Sequence, residues 1–237
     1  MSDTYQFELP LVQAAQAQKH VTVNEALARL DAVAQMRVKA DDWEIPSANP
    51  IEGEAHVVGP IASNEWAGQS GKVAIFSNGG WVFLAPKIGW RAWNEVLGAE
   101  IVYDGVSWVR YAGVVTAGGA ASLYRVVEIN HAVAAGAVSV TSNVIPSHAQ
   151  VIGVTARVVS AITGAGVSSW SLGVSGAVDR YGNGLGLGVN SYAKGMTGPL
   201  TYWADTALEI TADAGSFDGG VVRLAVHFVE LEVPRAV

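Results

Sequence analysis

The chain contains no cysteine, which excludes disulfide bonds, thiolate metal sites and a cysteine nucleophile. Charged side chains are also scarce, at 15% of 237 residues, whereas 50% of the residues are hydrophobic. A chain with so few charges must bury much of its apolar surface, either in its own core or against copies of itself. Composition alone leaves both possibilities open.

Clusters of one charge sign are missing as well. The fourteen basic residues are scattered singly in a chain whose net charge is −7. Nucleic acids and anionic membranes are bound by clustered lysines and arginines, because affinity comes from releasing counterions. The sequence therefore predicts neither a nucleic-acid nor a membrane partner. The N-terminus has no basic or apolar region of a secretory signal, which predicts synthesis in the cytoplasm without a signal peptide.

Motifs for catalysis and cofactor binding are absent from the sequence. No Gly-x-Ser-x-Gly occurs, and the glycine-rich run 182–188 lacks the Gly-x-Gly-x-x-Gly spacing of a phosphate cradle. The histidines never come within one helical turn of each other, which argues against a zinc site; they are His20, His56, His131, His148 and His227. The sequence thus predicts a protein that is not an enzyme, with no cofactor and no metal.

Glycoside hydrolysis needs only two carboxylates and stays open as an alternative. The candidate carboxylates of the second half are Asp179, Asp205, Glu209, Asp213 and Asp218. Most of them stand next to Gly, Asn or Thr, where aspartate is expected in turns for its own backbone hydrogen bonds. Turn formation is therefore the favoured interpretation.

The N-terminal region, residues 9–36, has the helical patterns of the chain. Pro10 fits the first turn of a short helix over 11–18, because a proline needs no hydrogen bond there. Thr22 and Glu25 form a capping box that predicts a second helix from Thr22. Its apolar face would consist of Val23, Leu27, Leu30 and Ala34. This narrow face must pack on the following β module or on neighbouring chains.

Residues 43–111 carry six of the eight tryptophans and predict a small sheet made of two hairpins. The first hairpin joins 72–76 to 81–84, and the second joins 99–103 to 108–111. Asn78-Gly79 and Asp104-Gly105 supply the positive φ that tight turns require. The tryptophans are interpreted as core filling, with sugar stacking as the alternative.

Small uncharged residues at 112–121 form a linker, after which the pattern changes to about eight strands separated by Gly, Pro, Asn and Asp. Val222, Leu224, Val226 and Phe228 alternate with outward residues in the last of them, as a half-buried strand requires. Eight short strands with regular turns predict a β-sandwich or jelly roll. The expected strands are 123–129, 137–142, 151–159, 168–174, 185–189, 201–203, 208–212 and 221–231.

A candidate ligand-binding loop lies within this half. Carbohydrate sites join an aromatic ring, which stacks on the sugar, to planar polar groups that bind hydroxyl pairs. The alternative is a structural turn in which Asp179 pairs with Arg180. The predicted ligand-binding residues, with no catalytic residue and no metal ligand among them, are Trp170, Asp179, Arg180, Tyr181, Asn183, Tyr192 and Trp203.

The run Gln-Ala-Gln-Lys-His-Val-Thr-Val-Asn-Glu-Ala-Leu at 16–27 resembles the opening of an uncharacterised family found in bacterial prophages and gene transfer agents. The likeness continues through Gly53, Trp66, Gly79-Gly80-Trp81, Pro86 and Trp108. The second half resembles the C-terminal module of phage spikes and fibres, on markers at 145–146, 151–158, 162–165, 179–182, 208–212 and 219–227.

This resemblance implies a spike or fibre on the surface of a phage-like particle, with a jelly roll that binds host capsular polysaccharide. It also implies a homo-oligomer, with a trimer favoured, and attachment to other particle proteins through the N-terminal segment. The expected architecture is mainly β, with a helical segment at 1–40, a Trp-rich β module at 41–118 and a jelly roll at 119–237. The alternatives are a structural particle component without a ligand and a capsule-degrading glycosidase.

Overall fold

The computed structural model describes residues 3–12 and 19–236. The chain is mainly β, as predicted, with a helix α1 (Lys19–Val33) and a 3-10 turn (Asn64–Trp66) in the first half. The chain forms two compact units, Met1–Ala121 with Val233–Val237 and Ser122–Glu232. The sequence analysis, in contrast, divides the chain into three parts. No helix in the described ranges has the length and hydropathy needed to cross a bilayer.

The N-terminal helix differs from its prediction. Lys19, the first described residue after 13–18, is already helical, so Thr22 lies inside the helix and is not its N-cap. The capping-box prediction was wrong because nothing in Lys19-His20-Val21 breaks a helix, which allows it to begin earlier. Pro10 forms an isolated bridge with Asp3 and does not start a helix. The rest of the helix expected at 11–18 falls on 13–18, outside the described residues.

Polar contacts fix this helix to the chain that precedes it. The buried carboxylate of Asp31 accepts hydrogen bonds from the Thr4 hydroxyl and from the backbone amides of Gln6 and Phe7, each at 2.7 Å. The Gln6 side-chain amide donates to the carbonyl of Ala34 at 2.6 Å, which satisfies a carbonyl just past the helix end. The first segment and α1 are thereby held together by one buried and several partly buried hydrogen bonds.

The predicted apolar face of α1 does not lie in a core. Val23 and Leu30 are 42% and 54% exposed, while Leu27 is half-buried. Among the α1 residues whose burial is described, 21–33, the most buried is the acidic Asp31. Packing of this face on its own chain, one of the two predicted possibilities, is thus limited to the half-buried Leu27 and Ala34.

Two small sheets complete the first unit, and both predicted hairpins are confirmed. One sheet has the order β2-β3-β4, and the other has the order β1-β5-β6-β7 with β1 parallel to β5. In each hairpin the aromatic residue before the turn pairs with the tryptophan after it, Phe76 with Trp81 and Tyr103 with Trp108. The strands of this unit are β1 (Arg37–Val38), β2 (Ala55–Val57), β3 (Val73–Ser77), β4 (Gly80–Leu84), β5 (Arg91–Asn94), β6 (Ala99–Tyr103), β7 (Trp108–Arg110) and β8 (Ala112–Val115).

The second unit is a jelly roll. One sheet has the order β10-β15-β12-β13, and the unit's strands in the other sheet have the order β14-β11-β16-β9. Counted from one to eight along the unit, these orders are 2-7-4-5 and 6-3-8-1, which is the interleaving of two Greek keys. The strands are β9 (Ala121–Ala132), β10 (Val138–Ile145), β11 (Gln150–Ala165), β12 (Trp170–Val174), β13 (Ala177–Leu185), β14 (Tyr192–Thr201), β15 (Thr206–Ala212) and β16 (Ser216–Glu232).

The inner faces of the two sheets enclose one apolar core. The predicted alternation of β16 is confirmed, because Val222, Leu224, Val226 and Phe228 are each at most 1% exposed. Strand β11 supplies Val151, Val154 and Val158 to the same core, and the facing sheet supplies Trp170, Leu172, Leu208 and Ile210. Burial on this scale fixes the strands as a rigid platform for their outward side chains.

Two of the eight predicted strands were misplaced. Strands β13 and β14 stand at sheet edges, and their sequences carry Asp, Asn and Gly or Lys, Gly and Pro. Edge strands tolerate such residues because part of their backbone needs no partner strand. The sequence pattern of these residues predicts turns, so the strands were expected at 185–189 and 201–203 instead.

Candidate functional site

Two of the predicted ligand-binding residues lie in the core of the jelly roll. Trp170 is fully buried, and its indole nitrogen donates to the Gly186 carbonyl at 3.0 Å. Tyr181 is 2% exposed, and its hydroxyl forms a 2.7 Å hydrogen bond with the hydroxyl of Tyr202. Burial first and this bond second raise the pKa of Tyr181 above its ordinary value. Neither ring is open to a sugar arriving from solvent.

The three polar residues of the predicted loop are exposed but belong to a strand. Asp179, Arg180 and Asn183 lie on the edge strand β13. The turn of this hairpin falls at Ser175-Gly176, where Gly176 has a φ of 79° and Val174 pairs with Ala177. Gly176 could form the turn because glycine adopts positive φ without strain. The loop prediction was therefore wrong, while the exposure of these side chains agrees with it.

Trp203 stands in the loop between β14 and β15 and is 75% exposed. The ring of His148 meets it edge-on, with 5.6 Å between ring centroids. The Ser147 hydroxyl donates to the Trp203 carbonyl at 3.1 Å, and the Ser147 amide donates to the Asp205 carboxylate at 2.8 Å. The Asp205 carboxylate thus accepts its hydrogen bond from the connection between β10 and β11, 58 positions away, and not from the backbone of its own turn as the sequence predicts.

Tyr192, the last predicted residue, belongs to a groove on the outer face of the sheet β14-β11-β16-β9. It is 66% exposed and lies opposite Arg157 of β11, which in turn lies opposite Arg223 of β16. The groove has a volume of about 520 Å³. We call it the outer-face groove, and it is lined by Glu128, Thr155, Ala156, Arg157, Tyr192, Ala193, Lys194, Arg223 and Ala225.

Strand alternation explains why these side chains face outward. In β11 the buried residues Val154, Ala156 and Val158 face the core, so Thr155 and Arg157 point away from it. In β16 the burial of Val222 and Leu224 has the same consequence for Arg223. The outward side chains of the lining project from four adjacent strands of a rigid sheet, β14, β11, β16 and β9, which holds them in place better than a loop would.

The groove gathers positive charge. The Arg157 guanidinium carbon lies 5.8 Å from the centroid of the Tyr192 ring, and its Nη1 donates to the Asn190 carbonyl at a long 3.4 Å. Arg223 donates from Nε to the Asn130 side chain at 2.9 Å, and the same nitrogen is 3.7 Å from Glu128. With Lys194, the groove holds three cations and one carboxylate.

The predicted ligand-binding residues include Tyr192 of this groove but neither of its two arginines. Arg157 and Arg223 are 66 positions apart, and only the register of β11 against β16 brings them together. The signal in the sequence was strand alternation. Each arginine stands between valine, leucine or alanine residues, which places it on the outward face of its strand. Alternation identifies the face of the strand on which a side chain lies. It does not identify the adjacent strand, which depends on the topology of the sheet.

Among the candidate carboxylates of the jelly roll, Asp213 accepts hydrogen bonds from two serine hydroxyls. The Ser169 and Ser171 hydroxyls both donate to Asp213 at 2.5 Å. Burial raises the pKa of Asp213, but these two hydroxyls outweigh it and hold the pKa below its ordinary value. Within the described residues, no group of three His, Asp or Glu side chains is placed to hold a metal ion.

A second polar cluster lies in the first unit, and its central pair of side chains is closed to solvent. Glu54 and His56 are both buried and contact each other at 2.9 Å. Lys39 donates to Glu54 at 3.0 Å and the Ser47 hydroxyl also donates to it. The His56 ring stacks on Trp43 at 4.7 Å and contacts Trp66 and Trp81. In this cluster Trp66 is fully buried and Trp81 is half-buried, as the favoured interpretation predicts, whereas Trp43 is 40% exposed.

Fold and site together define a class of chain: a jelly roll with a basic, aromatic groove on one outer face, preceded by a Trp-rich β unit. Residues 23–109, a little over a third of the chain, match a family described as "Protein of unknown function (DUF2793)". None of the curated proteins matches the sequence.

Among solved structures, the chain is similar to one titled "Cyanophage Pam1 capsid asymmetric unit", at 23% identity over 46% of this chain and 84% of that chain. The TM-score of this match is 0.29, which is too low to support a shared fold.

Proposed function

We propose that the chain is an adhesion component on the surface of a phage-like particle and binds host cell-surface polysaccharide through its jelly roll. The observation that carries this proposal is the outer-face groove, where Tyr192 and two arginines project from rigid strands. The resemblance of 16–27 and of the second half to prophage, gene transfer agent and fibre sequences supports the particle setting. A head spike of a gene transfer agent is the particular role we favour.

The chemistry of the groove suits a sugar. An exposed tyrosine ring stacks on the apolar face of a pyranose, and a guanidinium fork binds two oxygens in one plane. Small side chains, Thr155 and Ala225, form the floor and let a sugar ring approach the sheet. The binding requires no bond cleavage, and we propose that the protein binds the polymer without shortening it.

Single sugar sites of this kind are weak, so adhesion needs several copies. We propose a homo-oligomer, with a trimer favoured, attached to other particle proteins through the N-terminal segment. Linked copies that bind one polymer together gain affinity through effective concentration, without any new contact. The exposed Val23 and Leu30 of α1 support an interaction of this segment with other chains. Sedimentation of the purified chain tests this part: a monomer at micromolar concentration contradicts it.

The test of adhesion uses the fluorescently labelled full chain, host cells and a capsule-deficient derivative of the same host. We expect binding to encapsulated cells, little binding to the derivative, and a large loss with Tyr192→Ala. Trp203→Ala is the matched control, since Trp203 is an exposed aromatic residue of the same unit outside the groove. Equal binding to both kinds of cell contradicts the proposal, and shortening of the purified capsule during incubation contradicts its non-enzymatic part.

A further inference from the structure

We propose that the outer-face groove selects acidic polysaccharide, with a sugar carboxylate held between Arg157 and Arg223. This inference rests on the proposed function, because it names the chemical class of the ligand for the same groove. Three features of the groove lead to it: its unbalanced charge, the unused donors of its arginines and the position of the Tyr192 ring.

The charge of the groove is unbalanced. Arg157 and Arg223 are directly opposite each other on adjacent strands, an arrangement in which like charges repel. Lys194 adds a third cation, and Glu128 is the one carboxylate of the lining. The excess of two positive charges occurs in a chain whose net charge is −7, so it runs against the overall composition. An anionic group bound between the arginines would remove the repulsion.

The arginines keep donors available for such a group. Both polar contacts of Arg223, with Asn130 and with Glu128, are made by Nε. Its two Nη groups have no hydrogen-bond partner in the part of the chain that the structure describes. Arg157 uses Nη1 for a long contact with Asn190. Carboxylates are bound bidentately by such planar donor pairs, which an ammonium group cannot reproduce.

The aromatic ring places a sugar next to this anion site. Tyr192 is opposite Arg157 in the register, so a ring stacked on the tyrosine lies beside the arginine pair. A uronic acid carries its carboxylate at the edge of the pyranose ring, which matches a tyrosine ring with one guanidinium group next to it and a second on the adjacent strand. Nucleic acid fits less well, because three cations on one face are few for a phosphate backbone.

The experiment measures binding of the full chain to purified host capsule, in its native form and after methyl esterification of its carboxyl groups. We expect esterification to weaken binding at least roughly tenfold, since each charge-assisted pair that is lost is worth at least that factor. Polygalacturonate should compete for the native capsule, and its methyl ester should compete poorly. Binding should also weaken as salt is raised.

Variants locate the effect in the groove. Arg157→Gln and Arg223→Gln should each weaken binding to native capsule by roughly tenfold and leave binding to the esterified capsule unchanged. Arg157→Lys keeps the charge but loses the planar fork, so it should lie between Arg157→Gln and the unmodified chain. Arg180→Gln is the matched control, because Arg180 is an exposed arginine of the same unit on β13. Hydrogen exchange of β11 and β16 shows whether each variant retains the fold.

Different failures have different meanings. Equal binding to native and esterified capsule overturns the acidic class and leaves the proposed adhesion standing. No binding to either capsule overturns adhesion itself. An equal loss with Arg180→Gln, or equally tight binding to double-stranded DNA, identifies a general attraction to polyanions and overturns the assignment to the groove.

Discussion

The two units of the chain are stabilised in different ways. The jelly roll surrounds one apolar core to which both sheets contribute, and the buried polar residues of its described part are the uncharged Ser139, Thr141 and Ser171. The first unit has smaller apolar clusters and buries ionisable side chains, namely Asp31, Glu54, His56 and Asp104. A buried charge is stable only while its partners are in place, so this unit depends on a few particular contacts.

The difference has a consequence for function. A platform held by apolar packing keeps its shape when pH and salt change, because burial of hydrocarbon depends on neither. A unit held by buried carboxylates loses stability when they are protonated. The proposed ligand groove lies on the unit of the first kind, and the predictions below test this contrast from the largest expected effect to the smallest.

Trp170→Ala should destabilise the jelly roll by about 4 kcal/mol, because it removes a fully buried indole from the core and leaves a cavity. Hydrogen exchange of β11 reports this loss, and exchange of β3 in the first unit serves as the internal reference. Stability of β11 within about 1 kcal/mol of the unmodified chain would contradict the core role of Trp170.

Glu54→Gln should destabilise the first unit by about 2–3 kcal/mol, since it leaves Lys39 and His56 without the carboxylate that both contact. Exchange of β3 should rise while exchange of β11 stays constant. Asp179→Asn is the matched control, because Asp179 is an exposed carboxylate on β13. A uniform rise in both strands would show that the two units do not differ as described.

Acid should open the first unit before the jelly roll. Burial raises the pKa of Glu54, but hydrogen bonds from Ser47, His56 and Lys39 outweigh it and lower the pKa from 4.5 to about 2. The stability that Glu54 contributes is therefore fully present above pH 4.5 and is lost as the pH falls towards 2. Burial lowers the pKa of His56 below 6.5 despite the opposing effect of Glu54. Neutral His56 therefore also stabilises the unit at higher pH, and this stability is lost as the pH falls below 6.5.

Six of the eight tryptophans belong to the first unit, so tryptophan fluorescence during acidification mainly follows that unit. We expect its transition at a higher pH than the loss of protection in β11. The reverse order would contradict the assignment of buried charge as the stabilising feature of the first unit.

Tyr181→Phe should have the smallest effect, about 1 kcal/mol, because it removes one hydrogen bond to Tyr202 and keeps the buried ring. Thermal unfolding of the full chain measures this change. Binding to capsule should stay the same, since the ring is buried and does not face the groove. A loss of binding without a loss of stability would show that Tyr181 contacts the ligand after all.

The sequence predicted those parts of the fold that local patterns determine. Alternation predicted the inner face of β16, and Asn78-Gly79 and Asp104-Gly105 predicted the two hairpins of the first unit. Edge strands β13 and β14 were misjudged because their glycine, proline and polar residues have the composition of turns. The buried position of Trp170 could not be told from an exposed one, since a tryptophan in a short strand fits either face.

The candidate site was predicted only in part, for a topological reason. Tyr192 was named as a ligand-binding residue, but its neighbours in the groove come from β11 and β16. Contacts between strands this far apart in sequence are set by the jelly-roll order, which no local pattern of residues encodes. Ligand binding by Tyr192, Asp179, Arg180, Asn183 and Trp203 stays a prediction. Of these residues, Tyr192 belongs to the groove that we propose as the binding site, and the control variants Arg180→Gln and Trp203→Ala test the sequence prediction at two positions outside it.

The most direct test compares two exposed aromatic residues of the jelly roll by hydroxyl-radical footprinting of the full chain with and without host capsule. Tyr192 lies in the outer-face groove and Trp203 lies outside it, and they are 66% and 75% exposed. Our account predicts that capsule strongly slows oxidation of Tyr192 and leaves Trp203 oxidised at its original rate. Protection of Trp203 alone, or of neither residue, would contradict it.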